Sequence, residues 1–146
     1  MQMARLVEWG KTHDPQNRIL AQRLVSCAPN KAWMTEVRCI FNFVRQNIRY
    51  MLDTNGVEVL QSPEYTLAEG SGDCDDHAIL LATLLECAGH PCRFIAVGFS
   101  GDGSLEHVLT QTRGAGEGKW VSLDTTEDFP MGWFPPDVTD TMYQNI

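Results

Sequence analysis

Cys74, His107 and Asp124 are the residues of this 146-residue chain whose types and order could carry chemistry. Cys74 stands in the stretch Ser71-Gly72-Asp73-Cys74-Asp75-Asp76-His77-Ala78, between a glycine turn and an apolar run, Ala78 to Leu85, that reads as a buried helix. That places the sulfur at a helix N-terminus, where the positive end of the macrodipole favours the thiolate, the nucleophilic form. His107 follows in one apolar, strand-like run and Asp124 ends the next, before Thr125-Thr126. A thiolate, a base to take and return a proton, and a carboxylate to orient that base make a triad for acyl transfer.

The Cys74 backbone N–H, at the helix start, can donate to an oxyanion. No second donor follows from the sequence; Gln61 and Tyr65 are the side chains just upstream that could serve. Asp73, Asp75 and Asp76 oppose a negative sulfur between them, so a protonated His107 has to offset them. Asp73 also suits the helix N-cap, and Asp75 and Asp76 suit its first turn. His77 reads as a helix-face residue, and His13 and His90 sit in turn-like contexts.

The elements that position these groups start from strong punctuation. Asp14-Pro15 is an N-cap followed by proline at the first helical position, and Ile19, Leu20, Leu24 and Val25 recur at helical spacing. From Asn30, read as another N-cap, runs the amphipathic pattern Trp33, Val37, Ile40, Phe41, Val44 and Ile48, with Arg38, Arg45 and Arg49 largely off the stripe. Asp53 to Gly56 reads as a turn. Ser62-Pro63 opens a short helix closed by Gly70. The cysteine helix then spans about Asp73 to Glu86 and ends at Gly89, with Pro91 beyond. Three strands follow: Cys92 to Phe99, Leu105 to Thr112 and Lys119 to Asp124. Ser100 to Ser104 and Gly114 to Gly118 connect them. Helices first and an antiparallel meander afterwards predict an α+β fold, with the meander packed on the cysteine helix. The tail from Glu127 to Ile146, with Pro130, Pro135, Pro136 and the aromatics Phe129, Trp133 and Phe134, is expected to wrap the body as apolar cover.

The length fits one domain over residues 1–146. The net charge of −8 is uneven: eight Lys/Arg against three Asp/Glu in residues 1–50, and three against sixteen in 51–146. The acidic part argues against a nucleic-acid partner and permits a cationic substrate. No run is long and apolar enough to span a bilayer, and Met1 to Gly10 lacks a signal-peptide core, so a cytoplasmic location is expected. Five cysteines, 27, 39, 74, 87 and 92, are an odd number with no CxxC, which fits a reducing compartment.

Gly72-Asp73-Cys74-Asp75-Asp76, Glu106-His107-Val108 and Lys119 to Asp124 together resemble the transglutaminase-like superfamily of cysteine enzymes. The upstream helix, the Pro63 segment and Gly89-His90-Pro91-Cys92-Arg93 are similar to its small bacterial and phage members, and the resemblance covers about residues 30–126. It implies a papain-like α+β core with Cys74 as nucleophile, His107 as base and Asp124 as its orienter, acting without a cofactor on a peptide or glutamine-like amide. Asp75 stands where animal transglutaminases carry Trp, and the chain lacks their flanking β domains and calcium sites, which leans toward hydrolysis rather than cross-linking. Phage association is a further implication. Two other readings stay open: a non-catalytic binding or assembly module that keeps the fold, and a metal site built from Cys74, His77, His107 and nearby aspartates, for which the chain offers no HxxxH or paired CxxC.

Overall fold

A computed structural model describes residues 2–29, 32–52, 59–113 and 118–146. Asn30, the turn at 53–56 and most of the 114–118 connection lie outside the described residues.

The centre of the molecule is α5 (Cys74–Cys87), whose residues from Asp76 to Leu85 are all buried. A helix apolar all round must be covered on every side. Three earlier helices supply one part of that cover: α1 (Gln2–His13), α2 (Pro15–Val25) and α3 (Trp33–Asn47). The sheet supplies the other.

Local signals account for most helix boundaries. Asp14 caps α2 by accepting from the Gln16 N–H at 2.9 Å, with Pro15 in the first turn. Ser62 caps α4 (Pro63–Glu69), and Gly70 closes it in the left-handed conformation at φ +68°. The α3 stripe is buried as expected at Val37, Ile40, Phe41, Val44 and Ile48. This helix begins at Trp33, with Ala32 in the cap position and no side-chain cap bond. Helix α1 went unpredicted. Its Met3, Leu6, Val7 and Gly10 recur at helical spacing and meet the core or a neighbouring helix, but no acidic residue marks its first turn.

The sheet has four strands in the order β5-β4-β3-β6, all antiparallel: β3 (Cys92–Gly98), β4 (His107–Thr112), β5 (Val121–Leu123) and β6 (Asp140–Asn145). The expected meander is present as β3-β4-β5. The fourth strand corrects the reading of the tail, because Asp140–Asn145 pairs with β3 as an edge strand instead of serving only as cover. Its exposed face hides it from pattern reading. The rest of the tail does supply cover: Met131 packs on the core, Val138 covers Ile95, Val97 and Leu109 on the sheet's far face, and Phe129 stacks on Trp133 at 4.2 Å.

The glycine turn expected before Cys74 is instead a two-residue strand, β2 (Ser71–Gly72), parallel to β1 (Arg49–Tyr50). This pairing sets Tyr50 opposite Gly72, at the entrance to α5. Charge also crosses the molecule as the composition suggests, with Lys11 Nζ 3.0 Å from Glu86. His90 is buried, and its Nε2 lies 2.7 Å from Glu36 of α3. All five cysteines are free; Cys27 and Cys39 place their sulfurs 2.7 Å apart between α2 and α3. Among the described residues no helix is long and apolar enough to cross a membrane.

Candidate functional site

Cys74 is the first residue of α5. Its position is held by a reciprocal cap. The Asp76 N–H donates to Asp73 Oδ1 at 3.2 Å, and the Asp73 N–H donates to Asp76 Oδ2 at 3.1 Å. The other Asp76 oxygen accepts the Gln61 N–H at 2.8 Å, so one fully buried carboxylate ties the helix start to the segment before α4. As the first N–H of a helix, that of Cys74 has no intrahelical carbonyl to reach.

Gly72 completes this arrangement. A Cβ there would stand 2.6 Å from the Asp76 Cβ. Gly72→Ala is therefore expected to lower unfolding free energy by about 2 kcal/mol or more, since the carboxylate has to leave its partners. Urea denaturation measures this; an unchanged midpoint would show that Asp76 does not fix the segment.

His107 opens β4, and Asp124 directly follows β5. The ladder register pairs Thr110 with Leu123, which brings the ends of these strands together. His107 Nε2 lies 2.6 Å from Asp124 Oδ2, and the His107 ring lines the same cavity as Cys74. With Nε2 held by the carboxylate, Nδ1 is the nitrogen left for sulfur. Three different elements thus bring Cys74, His107 and Asp124 together, with Cys74 and His107 lining one cavity and Asp124 bonded to the ring. Cys74 Sγ also has Asp75 Oδ1 at 3.9 Å.

Asp124 is fixed on its other oxygen. Oδ1 accepts from the Thr126 N–H at 3.0 Å and the Thr126 hydroxyl at 2.6 Å. Burial acts to raise its pKa, but the His107 hydrogen bond and charge, together with Thr126, hold it below the usual carboxylate range. For His107, burial acts to lower the pKa. The hydrogen bonds and charges of Asp124 and Cys74 outweigh this and push it up to about 10, so the ring is an imidazolium at neutral pH.

His77 lies one helical turn after Cys74 and is 2% exposed. Its Nδ1 meets the Thr125 hydroxyl at 2.8 Å, which links α5 to the turn that carries Asp124. Its Nε2 makes no hydrogen bond of good geometry. Burial lowers its pKa, against a smaller raising effect from the Arg49 carbonyl that faces the ring. A helix-face reading undersold this residue, because the partner that explains it is 48 positions away.

Neither Gln61 nor Tyr65 lines the cavity beside Cys74 and His107. Gln61 Oε1 accepts the Thr66 hydroxyl at 2.9 Å, and Tyr65 is mostly exposed. Tyr50 does line that cavity, of about 190 Å³, together with Leu52, Asp73, Asp75 and Leu105. Burial, and then negative charge at Cys74, Asp73, Glu127 and Asp124, raises the Tyr50 phenol, so it remains an O–H donor. Sequence gave little sign of Tyr50, since its place depends on a two-residue strand pair. Among the described residues no group of three or more His, Cys, Asp or Glu is arranged to hold a metal ion. The two histidines of the metal reading direct their rings to Thr125 and Asp124.

Comparison with known proteins places the chain in a family. A candidate protease from Parabacteroides distasonis superimposes with a TM-score of 0.67 at 19% identity, over 84% of this chain and 25% of its own. For a candidate cysteine protease from Cytophaga hutchinsonii the TM-score is 0.62 at 20% identity, over 88% and 42%. Calcium-bound LapG from Legionella pneumophila gives 0.64 at 19%, over 94% and 78%. The chain therefore spans about a quarter of the first of these proteins and less than half of the second. No curated protein sequence matches the chain. The profile of the transglutaminase-like superfamily matches residues 18–125, which take in the cysteine helix, strands β3 to β5 and Asp124. On that match, and with the α+β core shared by these structures, the chain belongs to the transglutaminase-like superfamily.

Proposed function

We propose that this chain is a cysteine-dependent acyl-transfer enzyme that opens peptide or protein amides through a thioester on Cys74. The reading treats residues 1–146 as one catalytic unit. The observation that carries it is the His107 ring, bonded to Asp124 and lining one cavity with the Cys74 thiol at a helix start.

In the proposed reaction the Cys74 sulfur attacks the carbonyl carbon. Its oxygen, now negative, is held by the Cys74 N–H and by the Tyr50 hydroxyl. The C–N bond breaks as the His107 imidazolium gives its proton to the departing amine. Water then attacks the thioester, His107 takes the water's proton, and the C–S bond breaks, releasing the acid product and restoring the thiolate and the imidazolium. Asp124 keeps the ring oriented and charged. Hydrolysis is favoured over amine transfer because Asp75 follows Cys74 where animal transglutaminases carry an aromatic residue.

Iodoacetamide labelling with peptide mapping tests the nucleophile. Cys74 is expected to be alkylated at least about tenfold faster than Cys27, Cys39 or Cys87, as an activated thiolate should be. Labelling of Cys74 no faster than the others would defeat the proposal.

A further inference from the structure

The Cys74 cavity opens along the sheet. A second, larger cavity of about 380 Å³ lies beside it, and the two share Asp75, Ala96 and Val108 as a common wall. Strand register explains the shape. Val108, Ala96 and Met142 are direct cross-strand partners, so they form one row from β4 across β3 to β6. Thr110, Phe94 and Gln144 form the next row. Residues two apart on a strand share a face, and Thr110 bonds the Ala78 carbonyl of α5 at 3.0 Å, so both rows lie on the face turned to the helices. Small Ala96, between Val108 and Met142, leaves a depression in the middle of this floor.

The depression is apolar and its mouth is lined the same way. Tyr50, Leu52, Leu105 and Met142 all stand well exposed along the two cavities, an arrangement that costs solvation unless something covers it. Away from the His107 ring the charge there is negative: Asp73, Asp75 and Glu106 line the cavities, and among the described residues no lysine or arginine does. Two strand spacings separate Val108 from Met142, about 10 Å, which roughly three residues of extended chain would cover.

Building on the reading of Cys74 as nucleophile, we propose that this groove binds an extended, cationic peptide segment of the substrate and seats one of its large aliphatic side chains over Ala96. The reacting amide lies at Cys74 and the bound segment runs toward Met142. Ala96 and Met142 set the preference; neither touches the reacting atoms.

Two active-site-directed probes test this: the acyloxymethyl ketones of acetyl-Lys-Leu-Leu-Gly and acetyl-Glu-Ser-Ser-Gly. Each alkylates a cysteine thiolate, forming a thioether as its carboxylate leaves, and intact-mass measurement gives the rate at Cys74. The Lys-Leu probe is expected to react at least about tenfold faster than the Glu-Ser probe. Ala96→Leu, which fills the depression, and Met142→Lys, at an exposed edge position, are each expected to cut that ratio to about twofold, each probe rate being taken relative to the same variant's iodoacetamide rate at Cys74. Met142→Lys keeps the test valid if Ala96→Leu fails to fold. Equal probe rates in the wild-type protein, or an unchanged ratio in the folded variants, would overturn the groove assignment. Loss of fast iodoacetamide labelling in the wild-type protein would instead remove the nucleophile on which the assignment rests.

Discussion

Cys74→Ala is expected to abolish amide cleavage, with a loss of about 10⁴-fold or more, because no other group in the cavity can form the thioester. The fold should survive. Cys74 contributes no cap bond, the Asp73–Asp76 cap is independent of its sulfur, and the side chain is only partly buried. Circular dichroism and thermal melting of the variant should match the wild-type protein while turnover disappears. This experiment also separates the two main readings of the chain. An assembly module with the same fold would keep its biological role in Cys74→Ala, and that result would count against catalysis.

Asp124→Asn should have the second largest effect, about 10³-fold or more on turnover, through loss of the charge that orients and sustains the imidazolium. The pH dependence of stability gives a separate measure. His107 has a folded-state pKa of about 10, well above an ordinary histidine value, so its contribution is complete below about pH 6.5 and fades as pH rises through 10. Asp124 is shifted down, so its contribution is complete above about pH 4 and fades as pH falls further. The pair is therefore worth most between about pH 4 and 6.5. Denaturant unfolding should show the wild-type protein losing stability between pH 6.5 and 10, and Asp124→Asn should flatten that slope. NMR titration of the His107 ring should show it still protonated at pH 8 in the wild-type protein. A midpoint near 6.5 would contradict the Asp124 and Cys74 contacts as drawn.

Much of this architecture was legible from residues because its signals are local. Asp14-Pro15, Ser62-Pro63, Gly70 and Gly89 mark helix ends by capping and by backbone conformation, and they do so in the structure. The three meander strands carry alternating or continuous apolar runs bounded by glycine-rich connections. Cys74, His107 and Asp124 were nameable because each sits at an end of such an element. What escaped is non-local. The β1–β2 pair is two residues long and joins positions 22 apart, so no periodicity announces it, and with it Tyr50 went unnoticed. Strand β6 is mostly exposed and follows a proline-rich stretch, so composition pointed to a wrapping tail. His77 sits in an unbroken buried run, where its hydroxyl partner on the far side of the fold leaves no trace.

Helix α5 has a dynamic consequence. Its residues from Ile79 to Leu85 are enclosed by helices and sheet alike, so their amides can exchange with solvent only when the whole molecule opens. Cys74 rides on the end of that slow-exchanging rod. His107 and Asp124, by contrast, lie at strand ends, where local opening is cheaper. Thermal agitation should therefore disturb the proton relay before it displaces the sulfur. Warming should first reduce the charge state of the imidazole while the thiol keeps its place in the rigid frame.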